Sequence, residues 1–174
     1  MNLNLIATTA DGDGETTTTT STAFNLVIKP EAASFTTPTD AITVTEGTSI
    51  ALTSVMAAIV DGSESLSSIM VVASSSEISL SKGSLQGSGD GKTWIFDTAT
   101  SLSGMTVTAE GPGSTDVNLN LIATTADGDG ETTTTTSTAF NLVIKPEAAS
   151  FTTPTDAITL TEGTSIALTS VMAA

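Results

Sequence analysis

The chain contains no cysteine and no histidine. A Ser-His-Asp or Cys-His nucleophile therefore cannot be assembled, and the usual zinc ligands are missing. Disulfides are excluded too, and a metal is the usual substitute where a staple beyond packing is needed. Aromatic residues make up only 3% of the 174 residues, and tyrosine is absent. The core must come mainly from Val, Ile, Leu, Ala and Met. Basic residues are equally scarce, with four Lys plus Arg against 19 Asp plus Glu and a net charge of −15. No basic patch can form to neutralise phosphates, which argues against nucleic acid and against anionic membrane surfaces. No run is long and apolar enough to span a bilayer, so membrane insertion is not expected. No charged n-region with an apolar h-region opens the chain.

What the sequence does have is a duplication. Residues 2–58 recur as residues 118–174, with Val44 replaced by Leu160 as the single change. The spacing from Asn2 to Asn118 is that of a whole domain and exceeds the about 20–50 residues of solenoid repeats. The expected architecture is therefore beads on a string. Phe24-Asn25-Leu26-Val27-Ile28-Lys29-Pro30 reads as a last strand ended by proline, which has no donor for a ladder. Glu31 to Ser34 reads as a short linker. One complete domain is expected over 31–146. Residues 1–30 are then the end of the preceding repeat and 147–174 the start of the following one, so that the chain reads as a piece of a longer array.

The hydrophobic pattern has period two. Val117-Asn118-Leu119-Asn120-Leu121 alternates apolar and polar, the mark of a half-buried strand. Thr136 to Ile144 reads as its partner across the hairpin turn Ala126-Asp127-Gly128-Asp129-Gly130-Glu131. Residues 41–45 and 49–55 suggest an early strand pair around Glu46-Gly47. Further strands are expected over 66–73, 77–80, 93–96 and 105–108, and short helical turns would suit 54–60 and 99–102. Seven or eight strands in such a unit predict an all-β, Ig-like β-sandwich. Its core should hold Ile50, Leu52, Ile69, Val71, Trp94, Phe96, Val107, Leu119, Leu121, Phe140 and Leu142. Trp94 reads as a core anchor or as a sugar-stacking platform.

The chemistry left to this chain is that of carboxylate and carbonyl oxygen, the ligand set of a hard cation such as Ca2+. A carboxylate-pair glycosidase is formally open, but nothing marks two acids as such a pair, and no enzyme is expected. Acids gather in turns, as in Asp61-Gly62-Ser63-Glu64 and Asp127-Gly128-Asp129-Gly130-Glu131, with Asp11 and Asp13 in the duplicated copy. Glu46 and Asp116 stand singly. An ordinary turn explains any one Asp-Gly, so the metal reading depends on several acids converging. In a sandwich with an odd number of strands, the chain enters at one pole and leaves at the other. Asp61, Glu64, Asp127 and Asp129 should lie at the first pole, and Glu46 and Asp116 at the second. A joint between beads would then collect acids from both neighbours. Their repulsion is about 1 kcal/mol per close pair even when solvated, and a bound cation would reverse it. The runs Thr16 to Thr20 and Thr132 to Thr136 read as solvent-facing strands, or as an ice-ordering row.

The order Thr45-Glu46-Gly47-Thr48-Ser49-Ile50-Ala51-Leu52, followed by Asp61-Gly62-Ser63-Glu64-Ser65-Leu66-Ser67-Ser68-Ile69, resembles the start of bacterial Ig-like or cadherin-like repeats. Gly91-Lys92-Thr93-Trp94-Ile95-Phe96, Leu102-Ser103-Gly104-Met105-Thr106-Val107 and the stretch from Asp116 to Asp129 agree with it. Such repeats form the extender regions of giant repeats-in-toxin (RTX) adhesins. The resemblance implies a calcium-rigidified spacer, exported by a type I system and held at the outer surface of a Gram-negative cell. There it would carry an adhesive domain outward for attachment or biofilm growth. Glu46 matches the family's acid in the first strand, whereas Ile59-Val60 stand where acids often occur. The partners implied are adjacent identical repeats. The chain should be monomeric in dilute solution, with head-to-tail contacts through the partial repeats at high concentration. The alternative is an Ig-like module that itself binds glycan, ice or protein.

Overall fold

The computed structural model describes residues 1–87, 91–97, 102–111, 116–167 and 172–173, the last two by backbone alone. Apart from short turns, every described element is a strand. The first thirty residues give β1 (Asn2–Leu3), β2 (Ile6–Ala10), β3 (Thr16–Thr20) and β4 (Phe24–Asn25). The body follows with β5 (Ser34–Thr36), β6 (Ile42–Thr45), β7 (Ser49–Ala51), β8 (Met56–Ala58), β9 (Ser65–Ala73) and β10 (Ile78–Leu80). It continues with β11 (Ser84–Gln86), β12 (Lys92–Phe96), β13 (Thr106–Ala109), β14 (Asp116–Ala126), β15 (Thr132–Thr136) and β16 (Phe140–Lys145). Two short strands close the chain, β17 (Phe151–Thr152) and β18 (Met172–Ala173).

The body is an all-β sandwich. One sheet runs β11-β12-β9-β14-β16-β6, with β15 also paired to β14. The other face is built from β10-β13-β7 and the pair β5-β8. Alternation decides which side chains go inside. On β14, Val117, Leu119, Leu121, Ala123 and Thr125 are buried, while their even-numbered neighbours are not. Ile69 and Val71 of β9, Trp94 and Phe96 of β12, and Phe140, Leu142 and Ile144 of β16 join them. Val107, Ile78, Leu52 and Met105 close the core from the opposite side. All of these core side chains fall between Ala33 and Ile144. Trp94 is 3% exposed, so it packs the core and offers no platform for a sugar.

Three expectations change. Residues 41–45 and 49–55 do not form a hairpin. Strand β6 pairs in parallel with β16, whereas β7 pairs with β13 in the other sheet. The Glu46-Gly47 turn steps between sheets, held by Glu46 N–H on the Lys145 carbonyl (2.8 Å) and Gly47 N–H on the Ala109 carbonyl (3.0 Å). Gly47 takes φ +73°, a conformation costly for residues with a Cβ. Ile50 is 36% exposed, because β7 is the margin of its sheet and does not sit over the core. Met56–Ala58, expected as part of a helical turn, is strand β8 and pairs with β5. Of the second expected helical turn, 99–101 lie outside the described residues. The short strands β5 and β11 were not expected; each has only three residues.

Ile69, fully buried on central strand β9, and Ile50, at the margin, should respond very differently to truncation. Ile69→Ala should cost about 2–5 kcal/mol, and Ile50→Ala well under half of that. Urea unfolding of the two variants measures the difference.

Candidate functional site

Strand β14 spans the body, so its two ends define two poles. Ala126 lies opposite Ser65 at the proximal pole, where the chain arrives; Asp116 lies opposite Val143 at the distal pole, where it leaves. Glu64, Asp127 and Asp129 line one open cavity of about 320 Å³ at the proximal pole, together with Ile28, Lys29, Pro30, Ser63 and Gly128. Asp61 sits on the same turn as Ser63 and Glu64 but outside this lining. Glu46 follows β6, next to Lys145 at the distal pole, and Asp116 opens β14 there. Asp11 and Asp13 lie on the hairpin between β2 and β3 and do not join either group.

The strongest feature of the proximal pole is a seat for the arriving chain. Pro30 is buried. Its carbonyl accepts the Thr133 hydroxyl at 2.7 Å. The Glu31 carbonyl accepts the Thr125 hydroxyl, also at 2.7 Å, and the Glu31 N–H donates to Glu64 Oε1. Three side chains from three segments thus hold two consecutive peptides, Pro30–Glu31 through Thr133 and Glu64, and Glu31–Ala32 through Thr125. Thr125 is wholly buried and is the one buried polar side chain among the described residues of the core. Its hydroxyl has two acceptors in reach, the Glu31 carbonyl at 2.7 Å and the Thr133 carbonyl at 3.2 Å, and the shorter contact is the one to the linker. Period-two parity on β14 pointed Thr125 inward; its position in the run Ala-Thr-Thr-Ala hid that.

The acids hold their own turns. Asp127 Oδ1 accepts from the N–H groups of Asp129 and Glu131, each at 3.0 Å. Asp11 repeats this with Asp13 and Glu15 at 3.1 Å. Asp61 Oδ1 accepts from the hydroxyl and the N–H of Ser63. Those two bonds, the hydroxyl first, lower the Asp61 pKa from its ordinary value. Glu64 differs from the rest: its Oε2 is buried and has no hydrogen-bond partner. An orphaned carboxylate oxygen is what a cation would satisfy, and the donors around the cavity are of the type a hard cation takes. Their number falls short, because among the described residues no three acids stand close enough to hold one ion. Lys29 also brings a cation into the same lining.

No family model matches the chain, and no curated protein does. Among solved structures it is similar to the crystal structure of BcpA*(D312A), the major pilin subunit of Bacillus cereus. The identity is 9% and the TM-score 0.38, over 80% of this chain and 48% of that one. The chain thus spans about half of that subunit's length, and so distant a likeness is no guide to its role.

Two results are expected. Thr125→Val removes the hydroxyl and leaves the Glu31 carbonyl unpaired; it should cost about 1–3 kcal/mol and open the 28–33 segment to protease at concentrations that spare the parent chain. Lowering the pH should weaken the turn at Asp61. A depressed carboxyl pKa contributes stability above the unfolded-state value and loses it as pH falls through the folded-state value. Stability should therefore decline below about pH 4, and the decline should be shallower in Asp61→Asn. Thermal melts from pH 6 to pH 2 check this.

Proposed function

We propose that the chain is part of a structural spacer of a bacterial cell-surface adhesin, in which Ig-like units stand head to tail and hold an adhesive domain away from the cell. The observation that carries this reading is the seat at Pro30–Glu31. It docks the arriving strand on the next body, and the same Lys-Pro-Glu sequence recurs at Lys145-Pro146-Glu147, where the body ends. Each unit thus carries both a plug and a socket. Export by a type I system and display on a Gram-negative surface belong to the same proposal and rest on the sequence resemblance.

Calcium is part of the reading. The proximal acids Glu64, Asp127 and Asp129 would meet the distal acids of the unit before, the counterparts of Glu46 and Asp116. Together they supply more oxygen donors than either pole does alone. Extracellular calcium modules bind with dissociation constants of about 10⁻⁴–10⁻³ M. At a free concentration about 100 times that constant, stability should rise by roughly 2.7 kcal/mol. Magnesium should do much less, since its small octahedral shell accepts few protein carboxylates.

The test uses chains of one, two and four complete units, measured by small-angle X-ray scattering with calcium and with chelator. A spacer predicts a maximum dimension that grows by a fixed increment of about 40 Å per unit, from strands of about ten residues plus turns, and a melting temperature raised by calcium. Compact, flexibly jointed shapes in both conditions would sink the spacer reading. Rigid extension with no response to calcium would leave the spacer and remove the metal.

A further inference from the structure

The duplicated segment appears twice in this chain with opposite burial. In the body, Leu121, Phe140, Leu142 and Ile144 are 0–4% exposed. Their counterparts Leu5, Phe24, Leu26 and Ile28 are 40–69% exposed. The sequence around each set is the same, so the difference lies only in what packs against it.

The N-terminal copy nevertheless holds the conformation of the docked one. Ile6 faces Thr20 as Ile122 faces Thr136, and Leu3 faces Phe24 as Leu119 faces Phe140. The Ser21 N–H donates to the Leu5 carbonyl at 2.8 Å, and the Ser137 N–H to that of Leu121 at 2.9 Å. The hydroxyls of Thr8 and Thr18 are 3.0 Å apart, and so are those of Thr124 and Thr134. An apolar face is thus displayed on a hairpin already shaped for the slot beside β9 and β6 that residues 118–144 occupy.

We infer that residues 2–28 are a donor strand pair able to complete the body of a second copy of this chain. The occupant has to come from a different molecule. If Ile28 took the place of Ile144 in its own body, it would stand at the distal pole, while Glu31 is bound by Glu64, which is outside the replaced strands, at the proximal pole. Three Cα steps from Ile28 to Glu31 reach about 11 Å. The nine steps of β14 from Asp116 to Thr125 cover about 30 Å. In a second copy no such conflict arises, because the donor's own body then stands beyond the acceptor's distal pole. That contact is head to tail and does not close on two copies, so it propagates into a linear chain. The exchange swaps one set of contacts for an identical set. It gains no contact energy and opposes the entropy of association, so the unmodified chain stays monomeric when dilute.

Disabling the resident strands exposes the donor. One chain carries Leu121→Asp and Phe140→Asp; a second carries these with Leu5→Asp and Phe24→Asp; a control carries Leu5→Asp and Phe24→Asp alone. Trp94 fluorescence reports the core, and sedimentation reports association. The first chain should keep the buried Trp94 signal in species above monomer mass that grow with concentration. The second should be unfolded at every concentration, and the control folded and monomeric. Equal unfolding of the first and second chains would overturn the inference. So would a first chain that folds as a monomer at all concentrations, since the donor would then act within its own molecule. An unfolded control would also overturn it, by making residues 2–28 part of the resident body.

Discussion

The peptide joining Pro30 to Glu31 is the contact on which the arrangement of this molecule depends. Its carbonyl is held by a half-buried hydroxyl, Thr133, and its N–H by the carboxylate of Glu64, while the buried hydroxyl of Thr125 holds the carbonyl of the following peptide. The donors lie on a hairpin that ends the body, and Glu64 stands just before the longest strand of its first half. One short segment thereby ties the first strand of the body to its last hairpin. A charged acceptor makes the bond to the Glu31 N–H stronger than a neutral one would be. The proline contributes by having no N–H of its own to leave unpaired in a buried position.

Charge is distributed to match. With 19 acids against four basic residues, the chain repels itself, and the cost is lowest where acids stand in exposed turns at the poles. The long faces of the sandwich carry Thr, Ser and Asn in their place. Lys92, at 18% side-chain exposure, pairs with Glu110 at 3.0 Å. The Ser79 hydroxyl, ahead of Lys92, lowers the Glu110 pKa. Stacking such units end to end, as proposed above, would bring acidic poles together, where like charges repel.

Much of this was legible in residue order. The alternation in Val117 to Leu121 placed the core side of β14, whereas the strand counting assumed an odd number and the described body has twelve strands, β5 to β16. The turn at Glu46-Gly47 was misread because a Gly turn between two short β-rich runs looks the same whether it pairs them or passes from one sheet to the other. Only the partners, β16 and β13, distinguish the two. Ile50 was misplaced for the same reason, since alternation gives the face of a strand but not its distance from the sheet margin. The seat was missed because its donors are threonines in a Thr-rich stretch and its acceptors are backbone carbonyls, which have no side-chain signature. Glu64 was picked for its charge; one of its oxygens accepts a peptide N–H, a role that charge alone does not announce.

The central claim is that the segment entering the body at Pro30 and Glu31 is held and does not swivel. Backbone ¹⁵N relaxation of the chain tests it at the amide that matters, Glu31, whose N–H is given to Glu64. Held as described, Glu31 should show an order parameter near 0.85, equal to that of the β14 amides. A value below about 0.6 would mean that the peptide moves freely on the same timescale and that the seat does not hold.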